Sequence, residues 1–337
     1  MGTLKYSAYG IAALAGYILF LASLRLTSVA AGVLFTVMFT LSQLIGLLLV
    51  SRIGASNTLS VALSIGAIGS FIHALNNSYI GNSLLGLGMG LYFMALIGVI
   101  GIILSSSGLI DYIMYVYSGL FGVGLVIGVL SSVLNNSVLF IAVTVLMLSL
   151  SFYLSLSSIY FKPRGTGLKY AVTNQVMFIM AMFVSFSLPY MVSSAILLSK
   201  YWLGSVYVLS IPLSIIPVHL MVKRWGLLYS LRISIILLAI SSALTYFFHN
   251  QFTLIAVAAS SMMIYSIILQ LLASISSPIL YMPTLAVAYG ISSVLTIPIG
   301  LALGIKVGYL VVGLISLLLM LLLKMIKEPI YQVPKAN

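Results

Sequence analysis

Long apolar stretches, each closed by a short polar or glycine-containing break, follow one another along almost the whole chain. A helix needs roughly 20 apolar residues to cross the hydrocarbon core of a bilayer. Twelve stretches meet that requirement: 6–27, 29–51, 58–75, 79–104, 109–133, 137–160, 169–196, 202–222, 227–248, 251–273, 280–302 and 305–325. Strands of a membrane barrel would alternate with period two over about 10 residues, and no such alternation is evident. Helices satisfy their own backbone inside lipid. The pattern therefore predicts an all-α polytopic membrane protein with 12 transmembrane helices.

The strongest break, Phe161-Lys162-Pro163-Arg164-Gly165-Thr166-Gly167-Leu168-Lys169, leaves six spans on either side. It predicts a bundle over 1–161, a short cytoplasmic linker over 162–168 and a second bundle over 169–337. Composition changes at the same place. All nine prolines lie at Pro163 or beyond, while 19 of the 28 glycines precede it. Glycine lets helix backbones approach closely, and proline kinks a helix by removing a donor. The first half is expected to be tightly packed. The second is expected to be bent, with Pro189 in span 7, Pro212 and Pro217 in span 8, and Pro283 and Pro298 in span 11.

The halves share a short pattern. Val50-Ser51-Arg52-Ile53-Gly54 and Val222-Lys223-Arg224-Trp225-Gly226 both read V-x-R-x-G, 172 residues apart. At that offset residues 41–59 match 213–231 at seven of 19 positions: Leu41, Ser42, Leu48, Val50, Arg52, Gly54 and Leu59. Both patterns fall between the second and third spans of their half. A duplicated six-span unit accounts for this placement.

Composition agrees with a membrane setting. Of 337 residues, 63% are apolar and 5% charged, whereas a soluble domain carries about 25% charged residues. The formal net charge of +12 forms no basic patch with interleaved aromatics, so nucleic acid is not an expected partner. The cations mark topology instead. Lys5, Arg52, Lys162, Arg164, Lys169, Lys223, Arg224, Arg232, Lys324, Lys327 and Lys335 fall on one side, against Arg25, Lys200 and Lys306 on the other. Both termini are thus expected in the cytoplasm, in a multi-pass protein of the plasma membrane. The apolar run after Lys5 reads as the first span, not a cleaved signal. With no cysteine, disulfide and thiolate chemistry are excluded.

The architecture resembles the major facilitator superfamily, in a short form with degraded motifs. That family has two six-span halves related by a pseudo-twofold axis, cytoplasmic termini and a basic turn after spans 2 and 8, typically G-x-x-x-D-R-x-G-R-K. Here Arg52-x-Gly54 and Arg224-x-Gly226 keep its centre, while Ser51 and Lys223 stand where the acid belongs. In span 4, Asn82-Ser-Leu-Leu-Gly86-Leu-Gly88-Met-Gly90 is similar to the family's R-x-x-x-G-x-G-x-G, with Asn82 at the arginine position. In span 5, Gly119, Gly122, Gly124 and Gly128 resemble the glycine-rich stretch of antiporters without its proline.

The resemblance implies that the Arg-Gly corners act as gates that lock and release the halves; plain topology signals explain either arginine alone. The chain has two acids, Asp111 and Glu328. Asp111 either pairs with Arg52, replacing the lost acid, or is an ordinary helix-start acid. Neither lies deep in the membrane, so the carboxylate relays of ion-coupled carriers are missing. The resemblance also implies a central cavity lined by spans 1, 4, 7 and 10, which here carry Tyr17, Asn82, Tyr92, Asn174, Gln175, Tyr265 and Gln270. These residues either contact solute or bond neighbouring helices. As a set they describe a neutral cavity; Arg25, Arg232 and Lys306 sit near span ends and snorkel, the alternative being a cavity role for Arg25 or Arg232 with an anionic substrate. His73 and His249 read as interfacial and His219 as a packing histidine. Asn76 and Asn135 head Asn-Asn-Ser turns that also match a glycosylation acceptor.

No metal, nucleophile or nucleotide-binding constellation is present, so no enzymatic activity and no cofactor are expected. The expected function is a transporter, secondary active or facilitative, acting as a monomer. It would move a small uncharged or amphipathic solute across the bilayer by alternating access. A lipid or lipid-linked sugar flippase and a non-transporting scaffold subunit are the alternatives.

Overall fold

The structure, a computed structural model, describes residues 2–24, 29–134, 137–156, 162–163, 165–198, 209–276 and 278–326. All secondary structure among them is helical: α1 (Gly2–Ala22), α2 (Val29–Ile53), α3 (Ala55–Ala74), α4 (Ser78–Ser106), α5 (Ile113–Leu134), α6 (Ser137–Leu156), α7 (Leu168–Thr173), α8 (Gln175–Leu198), α9 (Ser210–Leu213), α10 (Ile215–Trp225), α11 (Leu227–Phe248), α12 (Gln251–Ile275), α13 (Pro278–Ile291), α14 (Ile297–Leu303) and α15 (Ile305–Met320). A 3₁₀ turn, Ile110–Tyr112, precedes α5, another, Leu321–Met325, follows α15, and a π-helical turn, Ser292–Thr296, joins α13 to α14.

Nine helices among the described residues are long and apolar enough to cross a membrane: Ala30–Ile53, Ala55–Ala74, Ser78–Ser106, Ser137–Leu156, Gln175–Ser194, Leu227–Phe248, Gln251–Ile275, Tyr281–Leu303 and Lys306–Met325. The apolar stretch Ala8–Ala22 is shorter. The expected span 202–222 falls partly outside the described residues, as do Arg25, Asn135 and Glu328. The chain divides into two compact units. The first comprises residues 1–107 and 124–167, the second residues 108–123 and 168–337.

In the first unit α4 is the central helix, packed on α2, α3 and α1, while α3 and α1 also meet α6. Its backbone is buried without interruption from Gly88 to Gly101. Three glycines allow this approach. A Cβ at Gly86 would collide with the carbonyl of Phe35, and one at Gly90 with Ser42 and the Phe39 carbonyl, both on α2. A Cβ at Gly88 would press on the Ala62 carbonyl of α3. The spacing therefore presents alternate bare faces to two neighbours, and Ser42 Oγ reaches the Phe39 carbonyl at 3.0 Å and that of Gly86 at 3.4 Å.

In the second unit α12 is central, buried from Ser260 to Leu272 and packed on α8 and α11. The prolines inside helices fall here. Pro189 lies inside α8; lacking an N–H, it leaves the Ser185 carbonyl without its helical donor. Ser292, the first residue of the π turn, donates its hydroxyl to that carbonyl at 2.9 Å and to its own helix at Ala288, 3.0 Å away. Nearby, Ser193 and Ser194 bond the Tyr309 hydroxyl of α15 at 3.1 and 2.8 Å.

The joint before each central helix is built alike. Asn76 takes a left-handed φ of 62°, and Asn77 caps α4 by accepting from the Ile80 N–H at 3.2 Å. In the second unit His249 takes φ 36°, and Asn250 caps α12 by accepting from the Thr253 N–H at 3.0 Å. Asn76-Asn77 thus serve as turn and cap. The two joints lie 173 residues apart, and at that offset Tyr92 of α4 corresponds to Tyr265 of α12.

Candidate functional site

Each V-x-R-x-G stretch ends one helix and starts the next through a single glycine. Gly54 has φ 87° and ψ 164°, Gly226 has φ 81° and ψ 175°, a region essentially restricted to glycine. The Gly54 N–H donates to the Val50 carbonyl at 3.1 Å, and that of Gly226 to Val222 at 2.9 Å. Each glycine carbonyl then accepts twice from the residue four ahead. Thr58 donates its N–H at 3.1 Å and its hydroxyl at 2.8 Å; Ser230 does the same at 3.2 and 2.6 Å. Further back, Ser42 and Ser214 are both buried, and each bonds the carbonyl three residues before it, Phe39 at 3.0 Å and Ile211 at 2.6 Å. The 172-residue register is therefore a register of geometry as well as of letters.

Arg52 and Arg224 project as exposed side chains from these corners. The Arg224 guanidinium carbon lies 5.3 Å from the Trp225 ring centre, and Trp225 meets Tyr229 edge-on at 5.8 Å. Aromatic rings beside cations suit the headgroup level of a bilayer. Asp111 is half-buried in the 3₁₀ turn before α5 and belongs to the second unit, Arg52 to the first. His219 is hydrogen-bonded through Nδ1 to the Tyr115 hydroxyl at 2.6 Å, so it is a partnered packing residue.

Three of the expected cavity residues lie in the first unit. Tyr17, Asn82 and Tyr92 are all fully buried. Tyr92 donates its hydroxyl to the Ala13 carbonyl at 2.6 Å, tying α4 to α1, and the space it needs exists because residue 16 is glycine. Tyr17 packs on Phe93 with ring centres 5.9 Å apart. The other four lie in the second unit. Asn174 separates α7 from α8 and caps α8, accepting from the Met177 N–H at 3.2 Å and donating to the Tyr170 hydroxyl at 3.1 Å. Gln175 is exposed. Tyr265 is buried with its hydroxyl 3.3 Å from that of Tyr289. Gln270 is fully buried, and among the described residues neither atom of its amide has a hydrogen-bond partner.

Two further polar residues are buried. His73, in the last turn of α3, is fully buried with its ring 5.2 Å from Phe140, because that turn packs under Gly81 at the start of α4. Gln43 of α2, not singled out by the sequence, is fully buried, and among the described residues neither atom of its amide has a partner, as in Gln270. Its only signal was an amide inside an apolar helix. Among the described residues no three His, Asp or Glu side chains gather as a metal site, and no Lys, Arg, Asp or Glu is buried.

No family model matches the sequence, and no curated protein sequence matches it. Solved structures do. The chain is similar to the MFS proton:xylose symporter XylE bound to 6-bromo-6-deoxy-D-glucose, at 12% identity and TM-score 0.62, covering 99% of this chain and 97% of that one. It is similar to the nucleoside transporter NupG at 14% identity and TM-score 0.64, over 95% and 98% of the two chains. It is similar to the human organic anion transporter MFSD10 (TETRAN) at 11% identity and TM-score 0.58, over 94% and 99%. With matches spanning nearly the full length of both partners, the chain has the fold of the major facilitator superfamily.

Proposed function

We propose that the protein is a membrane transporter that moves a small uncharged or amphipathic solute by alternating access. In this reading the chain crosses the plasma membrane 12 times as two pseudo-twofold-related six-helix bundles, with both termini in the cytoplasm. The corners at Gly54 and Gly226, with Arg52, Arg224 and Asp111, gate the conformational change. The fold supports transport in general, since the similar structures carry names of sugar, nucleoside and organic anion transporters. The observation that carries the choice of solute is the absence of buried ionised side chains among the described residues. Charge in a membrane interior is costly and marks ion pathways; without it, facilitated diffusion or solute exchange is favoured over proton coupling.

Purified protein in liposomes tests this directly. Counterflow of a neutral solute that persists after the proton gradient is collapsed is the expected result. Strict dependence on that gradient overturns the uncoupled mechanism, and an Asp111→Asn variant with unchanged flux removes Asp111 from the gate.

A further inference from the structure

Buried polar groups in folded proteins are almost always hydrogen-bonded, and in a membrane interior an unmet amide is more costly still. Gln43 and Gln270 depart from that rule. Both are fully buried, and among the described residues neither Nε2 nor Oε1 of either has a partner. Some buried serines on the same helices return their hydroxyls to carbonyls three or four residues back, as Ser42 does to Phe39 and Ser266 to Met262. The hydroxyl of Ser261, also on α12, has no partner among the described residues; in Gln43 and Gln270 a donor and an acceptor are open together. The asparagines Asn77, Asn174 and Asn250 are used as caps.

Each glutamine belongs to a different unit, and each unit holds a group of buried rings. In the first unit Phe39 lies one turn before Gln43 on the same face of α2. Phe35 stacks on Phe39 at 5.9 Å and 11°, Phe93 of α4 lies 5.9 Å from Phe39, and Tyr17 of α1 lies 5.9 Å from Phe93. In the second unit Gln270 lies one turn beyond Ser266 on the same face of α12, and Ser266 bonds Ser118 of α5 at 2.5 Å. The adjoining Tyr117 is buried; in the same unit the Tyr265 hydroxyl lies 3.3 Å from that of Tyr289, and the buried Tyr281 hydroxyl has no partner among the described residues.

An amide presents a donor and an acceptor together, and an aromatic ring presents a flat apolar face. That combination matches a neutral ring that carries hydroxyls and one apolar side. It gives an anion nothing, since no cation is buried among the described residues. We propose that Gln43 and Gln270 are solute-binding residues, each within its own unit, and that the solute is a neutral polyhydroxylated ring, either a monosaccharide or the sugar of a nucleoside. This rests on the transport reading above and names its solute class.

The test is thermal melting of the purified protein with panels of monosaccharides, nucleosides and monocarboxylates, followed by counterflow with any hit. Wild-type protein is expected to be stabilised by members of one of the first two panels, which tells the two sources apart, and not by carboxylates. Gln43→Leu and Gln270→Leu remove the open amides at similar volume. Each is expected to raise the melting temperature of the solute-free protein by about 2 °C while weakening solute binding at least about tenfold. Gln43→Met and Gln270→Met serve where leucine packs poorly. Variants that melt lower and keep the wild-type response to solute overturn the assignment: the amides would then be structural. Wild-type counterflow of a carboxylate alone overturns the solute class and leaves transport standing. Absence of stabilisation and counterflow with every compound overturns both.

Discussion

Helices α4 and α12 occupy equivalent places in their units yet are held in opposite ways. Each follows an asparagine cap, each is buried through its middle, and each carries a buried tyrosine at the same offset. Gly86, Gly88 and Gly90 of α4 correspond to Ala259, Ser261 and Met263 of α12, which contains no glycine. Between lipid-soluble helices there is no hydrophobic drive to associate, so close packing and hydrogen bonds must do it. Helix α4 relies mainly on close packing: it meets α2 and α3 over bare backbone, with the Tyr92 hydroxyl added on α1. Helix α12 uses hydroxyls, with Ser266 on Ser118 at 2.5 Å and Ser260 on Ser241 at 3.3 Å. A backbone contact leaves no room for an added side chain, whereas a hydroxyl contact can be lost singly. One helix is therefore intolerant of volume, the other of lost donors.

The largest expected effect sets these two helices directly against each other. Gly90→Leu drives a side chain into Ser42 and the Phe39 carbonyl; it should cost more than about 3 kcal/mol and abolish a monodisperse peak in detergent. Met263→Leu at the equivalent position should cost under about 1.5 kcal/mol. Equal losses in the two melting curves would end the distinction.

At the corners the units should instead agree. Gly54→Ala and Gly226→Ala each force a Cβ into a glycine-only conformation, and each should cost about 2 kcal/mol. A difference larger than about 1 kcal/mol between them in denaturation would mean the shared geometry carries unequal strain.

The hydroxyl linkage of the second unit predicts a smaller change. Ser292→Ala leaves the Ser185 carbonyl with no donor and should cost about 1–2 kcal/mol. Pro189→Ala supplies an N–H to the same carbonyl, so Ser292→Ala should cost less in its presence. Additive losses in that double-mutant cycle would show that the two residues do not share the carbonyl.

The smallest effect is a pH dependence at the joint before α12. Burial, and after it the charge of Lys306, holds the His249 imidazole below its ordinary value near 6.5. The unfolded chain then binds this proton more readily than the folded one, so stability is full above about pH 6.5 and declines as pH falls through that value. Lys306→Gln should flatten the decline in melting temperature measured between pH 7.5 and 5.5, without removing it; no counterpart is expected from Asn76 in the first unit.

Much of this frame was legible in the sequence, for local reasons. Apolar length sets the helices, and arginine followed by glycine marks a helix end whose backbone only glycine can complete. The 172-residue register could be read at Ser42, Val50, Arg52 and Gly54, but not at Thr58 and Ser230, which share a hydroxyl rather than an identity. From the sequence, the adjacent amides Asn174-Gln175 suggest a polar lining and say nothing of a cap. The local chemistry of an asparagine at a helix start is capping, and Asn174 caps α8. Gln43 was out of reach: whether a buried glutamine is bonded depends on what other helices bring to it, which no local pattern encodes. The bond from Ser292 to the Ser185 carbonyl spans 107 residues, and nothing in either neighbourhood announces it.

That bond has a mechanical consequence. The Ser292 oxygen stands 2.9 Å from one acceptor and 3.0 Å from another, one on α8 and one on its own helix. A rotor placed between two nearly equal wells can release the distant acceptor and keep the near one. A movement of the α8 backbone at Pro189 then leaves no proton stranded in an apolar medium, and the cost of the motion is confined to a single oxygen.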